Sequence, residues 1–114
     1  MKTGFLSFKA PGIVVFIIAV AILIDGCKKE NPGPNQVVMQ NIAFNPSSIT
    51  VSKNATVTWT NNDNMTHNVT SDSGVFVSGN IAPGGTYSYQ FTATGTYPYR
   101  CTIHLGMNGV VIVH

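Results

Sequence analysis

The chain has 114 residues, a charged fraction of 9% and a formal net charge of +2 at pH 7. That length leaves room for one domain, and the few lysines and arginines exclude a nucleic-acid binder, which needs a basic stripe to neutralise phosphates. With an N-terminal export segment set aside, about ninety residues or fewer remain, a size at which apolar burial alone gives marginal stability and a metal or a disulfide would help.

The export segment is read over residues 1–26. Lys2 and Lys9 form its basic start, and Ile13 to Ile24 form an apolar run of about a dozen residues, the length of a signal-peptide core and short of the about twenty that span a bilayer. It ends in Ile24-Asp25-Gly26-Cys27, which resembles the bacterial lipobox, with Asp25 departing from its usual apolar or small residue. This reading makes Cys27 the acylated first residue of the mature chain and a membrane anchor. Residues 27–35, with Pro32, Gly33 and Pro34, are an extended tether.

From residue 36 to residue 114 the pattern has a period of two. Thr56 to Thr60 puts Val57 and Trp59 on one face, and Thr86 to Thr92 puts Tyr87, Tyr89 and Phe91 on one face, the alternation of half-buried strands. Further strands are predicted at Val37–Ile42, Ser48–Val51, Asn68–Ser71, Thr96–Arg100 and Val110–Val113. Turn residues separate them at Asn45-Pro46, Lys53-Asn54, Asn61–Asn64, Ala82–Gly85 and Ala93–Gly95. No helical period appears after the tether. Short strands broken by Gly, Pro and Asn predict an all-β, antiparallel Greek-key β-sandwich.

The segment from Tyr97 to Gly109 carries the chemistry. In an extended strand Tyr97, Tyr99 and Cys101 project to one side, so the thiol reaches the strand's end on the core face. The loop that follows offers an imidazole at His104 and a thioether at Met107. His67, at the foot of the Asn68–Ser71 strand, supplies a fourth donor if that strand lies beside the one ending at Cys101. Two imidazoles and a thiolate with a long axial thioether are the donor set of blue-copper electron-transfer sites, whereas zinc prefers four strong tetrahedral donors.

On these residues the stretch from Phe44 to Val113 resembles the cupredoxins, the blue copper proteins, and among them the amicyanin and plastocyanin-like members. The matching elements are Val57-Thr58-Trp59, His67-Asn68-Val69, Gly95-Thr96-Tyr97, and Cys101-x-x-His104-x-x-Met107 followed by Gly109. The resemblance implies one type 1 copper per chain, held by His67, Cys101, His104 and Met107, and a bridging role for the Asn68 side chain between the two ligand loops. Ile103 stands where such loops carry Pro and has an amide hydrogen to give. An N–H from Ile103 beside one from Asn68 at the Cys101 sulfur would raise the reduction potential.

Other readings compete residue by residue. Cys101 could be a buried structural thiol or pair with Cys27, Met65 could replace Met107, and His114 is expected at the surface. The leading function is single-electron transfer outside the cytoplasm by a monomer with a transient redox partner and no catalytic residues. His104, Ile103, Leu105 and Met65 would form its apolar exit, with docking insensitive to salt. A copper carrier or buffer at the cell envelope uses the same ligands, and a metal-free interaction sandwich is a third reading. An enzyme is disfavoured because a catalytic copper needs an open position.

Overall fold

The computed structural model describes residues 32–114. The expected export segment, the Cys27 anchor and most of the tether lie outside the described residues. Eight strands follow: β1 (Gln36–Met39), β2 (Phe44–Asn45), β3 (Ser48–Val51), β4 (Thr56–Asn61), β5 (Thr70–Ser71), β6 (Thr86–Gln90), β7 (Gly95–Arg100) and β8 (Asn108–Val113). Inward and outward positions alternate along them as the sequence requires. In β4, Val57, Trp59 and Asn61 are buried, and Thr58 and Thr60 between them are partly exposed.

Two four-stranded sheets, ordered β2-β1-β4-β6 and β3-β8-β7-β5, form the sandwich. The all-β Greek-key expectation holds, with one difference in detail: each sheet is mixed rather than wholly antiparallel. β1 runs parallel to β4, pairing Val37 with Trp59, and β3 runs parallel to β8, pairing Val51 with Val113. Between β1 and β4 the chain leaves the first sheet, lays down β3 in the second and returns, and such an excursion is what a parallel neighbour needs. β7 and β8 are an antiparallel pair in continuous register from Gly95↔Val113 to Arg100↔Asn108. They carry the loop that matters for chemistry.

The core between the sheets is aromatic. Trp59 is fully buried, with Tyr99 edge-on at 5.5 Å between ring centroids, Phe76 at 5.8 Å and Tyr87 at 5.7 Å. Phe44 of β2 meets Tyr99 edge-on at 4.7 Å. Such edge contacts add about 0.5–1.5 kcal/mol per pair to the area buried. Tyr99 lies opposite Gly109 in the β7–β8 register, and a β-carbon on Gly109 would land on the Tyr99 ring. Gly109 is there because the phenol fills the space a side chain would need.

The Tyr99 hydroxyl and the Trp59 indole N–H are buried without a hydrogen-bond partner of good geometry. Burial pushes the Tyr99 phenol up from 10.0 to about 12, and the nearby indole N–H opposes this only slightly. The unfolded chain's phenol ionises first, so stability from this group is intact below pH 10 and is lost as pH rises toward 12. Two outcomes are expected. Gly109→Ala lowers the unfolding free energy by about 1–3 kcal/mol in urea denaturation, the usual cost of overpacking a filled core, and an unchanged midpoint would show that the ring has room to move. In a spectrophotometric titration one tyrosine ionises last, near pH 12, and Tyr99→Phe removes that step.

Candidate metal centre

Period-two geometry carries the thiol inward, as expected: Tyr99 and Cys101 are buried and Arg100 between them is exposed. Directly after β7 the chain turns. Cys101 N–H donates to Met107 O at 3.0 Å and Met107 N–H to His104 O at 3.4 Å, so residues 101–107 form a closed loop at the mouth of the β7–β8 pair. Gly106, at φ 83°, takes the left-handed turn that such closure needs. Met107 at the loop's end is buried. Met65, its possible substitute, is 38% exposed, and His114 is at the surface.

The second arm arrives through β5. Thr70 pairs with Arg100 and Ser71 with Tyr99, which sets the chain just upstream of β5 beside the end of β7. His67 is fully buried there, and its backbone is paired both ways with Ile81, N–H to O at 3.2 Å and O from N–H at 2.7 Å. The expected neighbour relation between the two ligand segments is the observed one.

These placements bring three donor atoms together. His67 Nδ1 lies 3.2 Å from His104 Nδ1, and the Cys101 sulfur lies 3.9 Å and 3.7 Å from the two nitrogens. A point in their plane equidistant from all three is about 2.1 Å from each, inside the range of about 2.0–2.3 Å for nitrogen and sulfur donors to a first-row ion. The fit to a single ion in a trigonal plane is therefore good. Among the described residues Cys101 is a free thiol, and Cys27, its alternative partner, lies outside them.

Asn68 bridges the loops, as the resemblance implied. Its Nδ2 donates to Thr102 Oγ1 at 2.8 Å, and its Oδ1 accepts Thr102 N–H at 3.0 Å and the Thr70 hydroxyl at 2.9 Å. The expected amide bonds to the sulfur are not observed. Among the described residues the polar contacts of Cys101 Sγ are the two ring nitrogens, and the loop N–H held by Asn68 belongs to Thr102. Ile103 gives the sulfur no hydrogen bond that would raise the potential, and its side chain is 48% exposed.

One residue at the site was missed in the sequence. Asp63, in the turn after β4, lies 2.7 Å from His67 Nε2. Burial works to raise its carboxyl, but the Ile42 amide, the His67 ring and the Asn41 amide together hold it below the usual 3.8. Its only sequence signal is an acid four residues before the histidine, in a chain with just two acids beyond residue 30.

The copper binding proteins of the plastocyanin/azurin family match over residues 34–114. The chain belongs to this family. Among cupredoxin relatives, amicyanin-alpha of Methylorubrum extorquens is 32% identical over 95 residues, covering 79% of this chain and 80% of that protein. A solved amicyanin mutant in its reduced Cu(I) form at pH 4 superposes with a TM-score of 0.67 at 32% identity, over 75% of this chain and 87% of that one. The copper-containing nitrite reductase of Thermus scotoductus also superposes, with a TM-score of 0.67 at 27% identity, over 78% of this chain and 24% of that one. The cofactor of the cupredoxin chain is copper, and His67, Cys101, His104 and Met107 are positioned for a single type 1 site.

Asn68 offers a direct test of how the arms are joined. Asn68→Ala leaves the Thr102 N–H and hydroxyl without their partner, and a loss of about 1–3 kcal/mol is expected in thermal or urea unfolding, with faster loss of copper to a chelator. An unchanged copper off-rate would mean that the β5–β7 pairing alone holds the two arms.

Proposed function

We propose that this chain is a single-electron carrier of the cell envelope, with one type 1 copper ligated by His67, Cys101, His104 and the axial thioether of Met107. The observation that carries the reading is the near-trigonal triangle of two ring nitrogens and one sulfur described above. The bound metal supplies the one-electron Cu(II)/Cu(I) couple. The protein's part is to hold three strong donors at fixed separations from two sheet-anchored segments, so that a change of oxidation state moves the ligands little. The relative solved in a reduced Cu(I) form supports a redox role for this architecture.

The route to solvent is apolar. His104 is half-buried, and its loop neighbours Leu105 and Ile103 are fully exposed and 48% exposed, while Met65, two residues before His67, is 38% exposed. Charge in the described region cancels, with Lys53 and Arg100 against Asp63 and Asp72, and Arg100 is paired with Asp72 at 2.5 Å. A small apolar patch without a surrounding field suits a brief encounter with a redox protein, the chain acting as a monomer. The superposition on a nitrite reductase concerns 24% of that enzyme. A site filled by three strong donors and a thioether favours a carrier over an enzyme, which would need an open position on the metal.

The sequence supports export and anchoring: a signal segment over 1–26, an acylated Cys27, a tether over 27–35 and the copper domain from residue 36. Copper loading of the full chain is expected to give an intense visible thiolate-to-copper charge-transfer band that disappears in Cys101→Ser, with reversible voltammetry and slow metal loss. A colourless protein that gives up copper rapidly would instead favour the copper buffer. Electron exchange with a redox partner is expected to be nearly flat in ionic strength, and a steep fall with salt would refute uncharged docking. Cys27→Ser is expected to move the protein from the membrane fraction to the soluble envelope fraction, and no change in fractionation would refute lipid anchoring.

A further inference from the structure

Asp63 is held from several directions in a way that a turn residue does not need. Its Oδ1 accepts Asn41 N–H at 2.7 Å, and its Oδ2 accepts Ile42 N–H at 3.0 Å while lying 2.7 Å from His67 Nε2. Asn41 and Ile42 both adopt left-handed backbone, φ 58° and 56°, a conformation that a β-branched residue rarely takes. The two consecutive left-handed residues aim adjacent amides at one carboxylate, a small anion cradle made by the turn between β1 and β2. The backbone of Asp63 is fixed as well. Its N–H donates to Oδ1 of the fully buried Asn61, whose Nδ2 donates to Met65 O and Ile81 O, and Ile81 is the backbone partner of His67.

The other side of the His67 ring settles what this cradle does. Nδ1 faces His104 Nδ1 and the Cys101 sulfur, so Nε2 is the nitrogen remote from the donor triangle. An ionised carboxylate only accepts hydrogen bonds. The hydrogen between Asp63 and His67 is therefore carried by Nε2, which leaves the Nδ1 lone pair directed at the metal position. A full negative charge one ring away also makes that imidazole a stronger donor, and the stronger donor favours the more highly charged metal state.

We propose that Asp63 is a positioning residue which fixes the tautomer of His67 and, through its charge, favours Cu(II) over Cu(I) and lowers the reduction potential of the site. The inference rests on His67 being a copper ligand. The competing explanation is that Asp63 only closes the β1–β2 turn.

The test uses Asp63→Ala and Asp63→Asn in the full chain, with three readouts: the His67 tautomer by nitrogen NMR of the metal-free protein, the potential of the copper-loaded protein, and thermal unfolding. In the parent chain His67 is a single Nε2–H tautomer. Asp63→Ala is expected to mix the tautomers, to weaken Cu(II) binding about 10–100-fold, and to raise the potential by at least the one-electron equivalent of a tenfold change, about 59 mV. Asp63→Asn keeps an oxygen acceptor but no charge, so it retains the tautomer and still raises the potential. A lower melting temperature with tautomer and potential both unchanged, in Asp63→Ala or in Asp63→Asn should the alanine variant not fold, overturns the proposal. Failure of the parent chain to bind copper refutes the metal-site reading separately, and the tautomer measurement still decides the contact between Asp63 and His67.

Discussion

Two rungs of sheet pairing, Thr70 to Arg100 and Ser71 to Tyr99, bring His67 to Cys101 and His104. So short a strand is a weak fastening by itself, since β-pairing gains most from longer ladders with packed side chains. The fold reinforces it with side-chain bonds. Asn68 spans from the foot of β5 to Thr102 just after Cys101, and Ser71 Oγ accepts the N–H groups of Ser73 and Val75 in the turn beyond. Asn68 and Ser71 are themselves buried, and a buried polar group that kept no partner would weaken the fold rather than strengthen it.

The buried polar residues are gathered around this junction. Asn61, His67, Asn68 and Ser71 are the buried polar side chains of the described region, and the rest of its interior is aromatic, aliphatic or sulfur-bearing. The division follows from size. A domain of this length has little apolar area to spare, so the polar positions are spent where geometry matters more than burial, and the Trp59, Tyr99 and Phe76 cluster beneath carries the packing. A bound ion adds stability to the folded state alone, which suits a small sandwich whose ligand segments are lightly paired.

Much of this was legible in the sequence, because alternation and donor chemistry are local properties. Ser48–Val51 is a strand as expected, Thr96–Arg100 gains only Gly95, and Cys101, His104 and Met107 share one loop whose ends the strands bracket. Alternation reports which face a residue takes and says nothing of which strand lies alongside, so the parallel neighbours β1–β4 and β3–β8 could not be read. Strand β2 has two residues, too few to show any period. The strand expected over Val37–Ile42 stops at Met39, because the cradle for Asp63 holds Ile42 in left-handed backbone. Asp63 was hidden for the same reason: its role depends on amides that stand more than twenty positions away in the chain.

The same contacts explain how the donor triangle keeps its shape. Cys101 is fixed through its own N–H to Met107 O, His67 through its backbone pair with Ile81 and its Nε2 contact with Asp63, and the intervening loop through Thr102 to Asn68. None of these bonds uses the sulfur or the two Nδ1 atoms. Each ligand is thus held by groups other than the one it presents to a metal, so the separations of 3.2, 3.7 and 3.9 Å are set by the sandwich. An ion held here would meet the same near-trigonal set of donors whatever its charge, because moving these side chains apart would break bonds anchored in both sheets.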